Sequence, residues 1–91
     1  MFVALVMIRF RPHKVAAAAR TIAGFDGVSE VYSLTGEWDL VALVRVTHWD
    51  DIAEVVTGRI TAVEGLERTE THVAFRVLSK DDLDAAYAGF E

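Results

Sequence analysis

Apolar residues fall along this chain in two rhythms, continuous runs of strand length and stripes at helical spacing. Phe2 to Phe10 is almost unbroken, with Phe2, Ala4, Val6, Ile8 and Phe10 on one parity and Val3, Leu5 and Met7 on the other. A strand apolar on both faces belongs in the middle of a covered sheet. Arg11-Pro12 ends it, and Pro12 suits the first turn of a helix. His13 to Ala23 is alanine-rich, with Val15, Ala18, Ala19 and Ile22 spaced for one helical face and Gly24 as its stop. Phe25-Asp26-Gly27 reads as a turn, Val28 to Thr35 as a second strand, and Trp38 to Thr47 as a third, again apolar on both faces. Asp50 and Asp51 are expected to cap a second helix with the stripe Ile52, Val55, Val56 and Ile60, frayed after Thr57 by Gly58. Val63-Glu64-Gly65 is another turn. A fourth strand is expected over Leu66 to Leu78, with Glu67, Thr69, Thr71, Val73, Phe75 and Val77 on one side. Ser79 to Asp82 resembles a capping box, opening a terminal helix over 79–91 with Leu83, Tyr87 and Phe90 on one face.

The chain repeats itself. Phe25-Asp26-Gly27-Val28 returns as Val63-Glu64-Gly65-Leu66, with Gly27 and Gly65 38 residues apart. The same shift carries the first strand and helix onto the third strand and second helix, so the order is βαβ twice with a helix appended. Right-handed crossovers then give an α+β fold, ferredoxin-like βαββαβ, with both helices on one face of a four-stranded antiparallel sheet. Two helices cover one face only, yet the first and third strands are apolar on both. The uncovered face is expected to meet the same face of a second subunit.

Composition supports that expectation. Ninety-one residues make one small domain, residues 1–91, and 53% hydrophobic content is high for a monomer of this size. The net charge of −5, from 14 acids and 9 bases without a basic block, argues against direct nucleic-acid binding. The absence of cysteine excludes disulfides, thiolate catalysis and thiolate-bound metals. Met1 to Ile8 is too short to span a membrane and lacks a preceding basic region, so the expected compartment is the cytoplasm, with no membrane partner.

Candidate chemistry gathers in Leu34-Thr35-Gly36-Glu37-Trp38-Asp39-Leu40-Val41. A strand-to-strand turn uses Gly36, which takes φ > 0 readily, but does not call for a tryptophan between two acids. The connection is therefore also a candidate binding edge. His13, His48 and His72 fit no metal spacing, and no nucleophile, base and orienting acid are grouped. No catalytic residue, metal or cofactor is expected.

Gly27-Val28, then Thr35 to Val41, then Gly65-Leu66-Glu67-Arg68-Thr69-Glu70-Thr71 together resemble the effector domain of Lrp/AsnC transcriptional regulators, the RAM domain, over residues 1 to 78. The resemblance implies a dimeric α/β barrel that associates further, often into rings of dimers, with a free amino acid as effector in a cleft between dimers. It places Gly36, Glu37, Trp38 and Asp39 on one wall of that cleft, with Thr69 and Thr71 nearby. An acidic group and a turn suit an ammonium; hydroxyls and backbone N–H groups suit a carboxylate. Full-length members carry an N-terminal helix-turn-helix domain, whereas this sequence starts at the first barrel strand, so a stand-alone effector domain is expected. A full-length Lrp/AsnC regulator is one further partner that this reading allows.

Two other functions compete with a non-enzymatic amino-acid sensor. Small dimeric α/β barrels include monooxygenases and isomerases, whose pocket lies between sheet and helices and needs a polar group there. The stripes Val15, Ala18, Ile22 and Ile52, Val55, Val56 offer none. The other is a ligand-free oligomerisation module, with the acidic turn as a contact between dimers.

Overall fold

The computed structural model describes residues 1–80. The order is β1 (Phe2–Phe10), a 3-10 turn at Pro12–Lys14, α1 (Val15–Ala23), β2 (Val28–Ser33), β3 (Leu40–Val46), α2 (Asp50–Ala53) and β4 (Leu66–Val73). The strands form one four-stranded sheet in the order β2-β3-β1-β4, with every neighbouring pair antiparallel. This is the ferredoxin-like arrangement, and the two strands apolar on both faces occupy its centre. The expected terminal helix over 79–91 lies, from Asp81 onward, outside the described residues.

One parity of the central strands forms the core. Ala4, Val6, Ile8 and Phe10 of β1 meet Leu40, Ala42, Val44 and Val46 of β3 beneath Ala18 and Ile22 of α1 and Ile52, Val55, Val56 and Ile60 of the second helical segment. Ile8, Ile22, Leu40 and Ile60 are fully buried, and each such side chain contributes about 1.5–3 kcal/mol relative to exposure. Among the described residues no polar or charged side chain is buried with them. The opposite parity carries Val3, Leu5 and Met7 of β1, Val41 and Leu43 of β3, and Tyr32 of β2, with Leu5 40% and Tyr32 50% exposed. The helices lie on the other side.

Both turns of the repeat have the same backbone. Gly27 and Gly65 sit at φ 90° and 92°, a region that side-chain-bearing residues avoid. Each is also crowded: a Cβ on Gly65 would stand 2.6 Å from Lys14 Cγ and 2.7 Å from Lys14 Cβ. The Gly65 carbonyl accepts from Arg11 N–H at 2.9 Å, which ties the second repeat turn to the end of β1.

Several expected boundaries move. β2 ends at Ser33 rather than Thr35, and β3 begins at Leu40 rather than Trp38 and ends at Val46 rather than Thr47. β4 stops at Val73 rather than Leu78: Ala4 with Val73 is the last pair, Val3 O accepts one further bond from Ala74 N–H, and β1, which begins at Phe2, is too short to carry a partner on to Leu78. The helix expected from His13 opens as the 3-10 turn and becomes α-helical at Val15. Asp50 and Asp51 lie in the first turn of α2, favourable at its positive end, but neither makes a side-chain cap. Gly58 does not fray the segment. The chain widens into a π-helical stretch, Glu54–Arg59, and closes as a 3-10 turn, Ile60–Ala62. Thr57 Oγ1 bonds to the Ala53 carbonyl, and Arg59 spans the widened turn to Glu54 Oε1 at 3.5 Å.

Candidate functional site

The connection between β2 and β3 is closed by Leu34 N–H donating to Asp39 O at 2.9 Å, leaving residues 35–38 as the loop. Gly36 takes φ 97° there with open space where a Cβ would be. Asp39 ties this loop to the sheet. Its N–H donates to Ile8 O at 3.0 Å, and its Oδ2 accepts from Phe10 N–H at 2.8 Å. The carboxylate thus serves as a ladder acceptor at the point where the chain enters β3. On the other side of β1 the register slips between Arg9 and Phe10, which pair with Arg68 and Leu66, leaving Glu67 as the extra residue of a bulge. Loop and bulge therefore flank the same end of β1.

A side chain from the bulge region reaches the loop. Arg68 stands opposite Arg9 in the register and so leaves β4 on the face without helices. Its Cζ lies 5.1 Å from the centre of the Trp38 ring, within cation–π range. Its Nη1 is 3.6 Å from Glu37 Oε1, and both side chains are largely exposed. Arg9 is matched in turn by Glu67 at 3.8 Å. Like charges facing each other across a ladder repel, and each guanidinium here has its own carboxylate.

The structure thus brings Glu37, Trp38 and Asp39 together beside Gly36, at the end of β1. Thr69 and Thr71 belong to the same edge strand but to its other face. They pair with Ile8 and Val6, whose side chains are in the core, so their hydroxyls lie on the helix side. Thr69 is half-buried and Thr71 exposed. Arg68 was absent from the sequence-derived set although it lies within the third motif. Its parity, opposite to Thr69 and Thr71, was readable, but only the topology shows that this parity faces the loop.

A separate groove of about 480 Å³ runs between α1 and the end of the second helical segment, lined by Lys14, Ala17, Thr21, Phe25, Arg59 and Val63 among others. Its cations are engaged. Lys14 Nζ is 3.2 Å from Glu64 Oε1, and Arg59 Nη1 donates to Asp26 O at 2.9 Å. None of the six sequence-derived residues lines it. His72 Nε2 lies 3.1 Å from Glu70 Oε2 on β4, and among the described residues no group of three His, Cys, Asp or Glu is placed to hold a metal ion. No described helix is long and apolar enough to cross a membrane.

Comparison with known proteins places the domain. The family described as Lrp/AsnC ligand binding domain matches residues 3–83. A curated relative from Pyrococcus horikoshii, the uncharacterized HTH-type transcriptional regulator PH1692, is 30% identical over 78 residues, a match covering 86% of this chain and 52% of the relative. The chain spans about half the length of the curated relatives it matches. Among solved structures, TTHA0845 from Thermus thermophilus is 48% identical with a TM-score of 0.83, the match covering 88% of this chain and 100% of that one. The transcriptional regulator NMB0573 from Neisseria meningitidis, solved as a complex with L-Met, shares the fold at a TM-score of 0.70 and 17% identity, over 86% of this chain and 52% of that one. On the family match across nearly its full length, this chain belongs to the Lrp/AsnC ligand-binding domain family.

Proposed function

We propose that this chain is a regulatory, non-enzymatic effector-binding module that takes a free amino acid at the Gly36–Asp39 loop and transmits occupancy through its assembly. The observation that carries this reading is the junction at the end of β1, where the loop acids and Trp38 meet the edge strand β4 in a domain of a ligand-binding family. Its relatives are named as transcriptional regulators, which favours regulation over catalysis. The related regulator in complex with L-Met suggests the ligand class.

Assembly is the second half of the reading. The apolar face formed by Val3, Leu5, Met7, Val41 and Leu43 packs against its counterpart in a second copy, giving a dimeric α/β barrel. Dimers meeting near β4 enclose the loop, and such a cleft reaches Thr69 and Thr71 on the helix side of the edge strand as well as Gly36, Glu37, Trp38 and Asp39. A ligand bound only in the assembled form stabilises it, which is the coupling a sensor needs. A cytoplasmic location and a full-length Lrp/AsnC regulator as the receiver of the signal complete the proposal.

The test is thermal unfolding with each of the twenty amino acids at millimolar concentration. A ligand at about 100 times its Kd adds about 2.7 kcal/mol, and roughly 4–8 °C of midpoint shift per kcal/mol is expected for a domain this small. One or a few selective shifts are the expected result. A flat panel refutes the amino-acid reading and leaves the ligand-free oligomerisation module.

A further inference from the structure

Arg68 lies across the strand end from the loop acids, and its surroundings suit it to a task that Glu37 alone does not perform. The Trp38 ring, 5.1 Å from Cζ, supports one face of the guanidinium and orients its planar fork. Among the described residues its ion pair is the contact to Glu37 at 3.6 Å, longer than a charge-assisted hydrogen bond and exposed on both sides. Such a pair is weak, and most of the five N–H donors of the guanidinium remain for another acceptor. Arg9, directly opposite, adds a second positive charge, itself matched by Glu67. The corner therefore holds two cations against two anions, open to solvent and arranged as separable pairs.

We propose that Arg68 is the carboxylate-reading residue of this site. The incoming zwitterion inserts into the Arg68–Glu37 pair, its α-carboxylate taking the guanidinium fork and its α-ammonium taking Glu37, with Trp38 as the floor. The inference rests on the amino-acid reading above and specifies which end of the ligand each side chain recognises. Little is lost on insertion, because the pair that opens is exposed and long. A molecule with only one of the two charges would leave either Arg68 or Glu37 unmatched, so the selected class is α-amino acids rather than simple acids or amines.

The experiment compares binding of the twenty L-amino acids and, for each that binds, its α-amide and its N-acetyl derivative, to the full chain and to R68M, R68K and E37Q. In a Trp49→Phe background Trp38 is the sole tryptophan, so its emission reports displacement of the guanidinium. R68M is expected to weaken the amino acid about tenfold or more while leaving the α-amide, which lacks the carboxylate, within twofold of wild type. R68K should recover part of the loss, since an ammonium keeps the charge but not the fork. E37Q should weaken the amino acid and strengthen the N-acetyl derivative relative to wild type. Equal losses for amino acid and amide in R68M, or no loss at all, overturn the assignment of Arg68 and leave the effector reading standing. Wild-type protein that binds none of the twenty overturns both. Unchanged urea midpoints in the three variants show that the fold is not what moved.

Discussion

Asp39 is the residue at which fold and function are hardest to separate, and two substitutions separate them. Its Oδ2 accepts the Phe10 N–H at 2.8 Å, and Phe10 is only 2% exposed. Asp39→Ala removes the acceptor and leaves a backbone donor at the edge of the core without a partner. An orphaned buried donor costs about 1–3 kcal/mol, and bonds to charged groups lie toward the upper part of that range. The other two ties of Asp39, to Ile8 O and from Leu34 N–H, are backbone bonds and survive the change. Asp39→Asn keeps an oxygen in the same position and should cost less than about 1 kcal/mol, the difference between a charged and a neutral acceptor. The assay is urea unfolding at a fixed protein concentration, since association with other copies adds to apparent stability. The midpoint should fall clearly for Asp39→Ala and little for Asp39→Asn, at constant m. Ligand binding is the second readout: if the carboxylate charge also holds the effector's ammonium, Asp39→Asn loses affinity while remaining folded. Equal destabilisation by both variants, or none by Asp39→Ala, refutes the ladder-acceptor role.

Two further outcomes follow from the backbone and from the open face. Gly36→Ala and Gly65→Ala place a side chain at nearly the same φ, 97° and 92°, so each should cost about 1–2 kcal/mol for the backbone. Gly65→Ala also displaces the Lys14 stem and should lose about 1–3 kcal/mol more, so equal urea midpoints for the two variants would contradict the crowding argument. Leu5→Glu puts a charge at the centre of the uncovered face, and sedimentation should show a folded monomer; a dimer that persists would exclude this face as the interface.

The sequence showed the architecture more fully than the limits of its elements. Two-sided apolar runs put β1 and β3 at the centre of the sheet, and the Gly27/Gly65 repeat gave both crossovers, because burial and turn geometry are written locally. Strand ends are set by partners. Val73, Phe75 and Val77 keep the alternation of a strand, but the last pair with β1 is Ala4 with Val73, and β1, which begins at Phe2, is too short to carry the ladder to Val77. Gly58 was a sound reason to expect fraying, yet the hydroxyl bonds of Thr57 and Thr61 and the Arg59–Glu54 pair hold the widened turn together. The loop stood out as a candidate site through its motif, whereas the bond from Asp39 to Phe10 and the approach of Arg68 depend on a register that no single stretch of sequence contains.

The edge strand β4 has one more consequence. Among the described residues it is an edge of the sheet, and its two faces differ: Thr69 and Thr71 leave on the helix side. Arg68, Glu70 and His72 stand opposite Arg9, Met7 and Leu5, so β4 carries these side chains on the helix-free face, as a charged and polar border beside the apolar stretch of β1 and β3. A second copy laid on that face would meet apolar side chains over β1 and β3 and charged ones along β4, so a placement that slides the β4 border over the apolar centre would bury unpaired charge. The border thus distinguishes one way of laying two such faces together from the others, a choice that an apolar sheet without it would leave open.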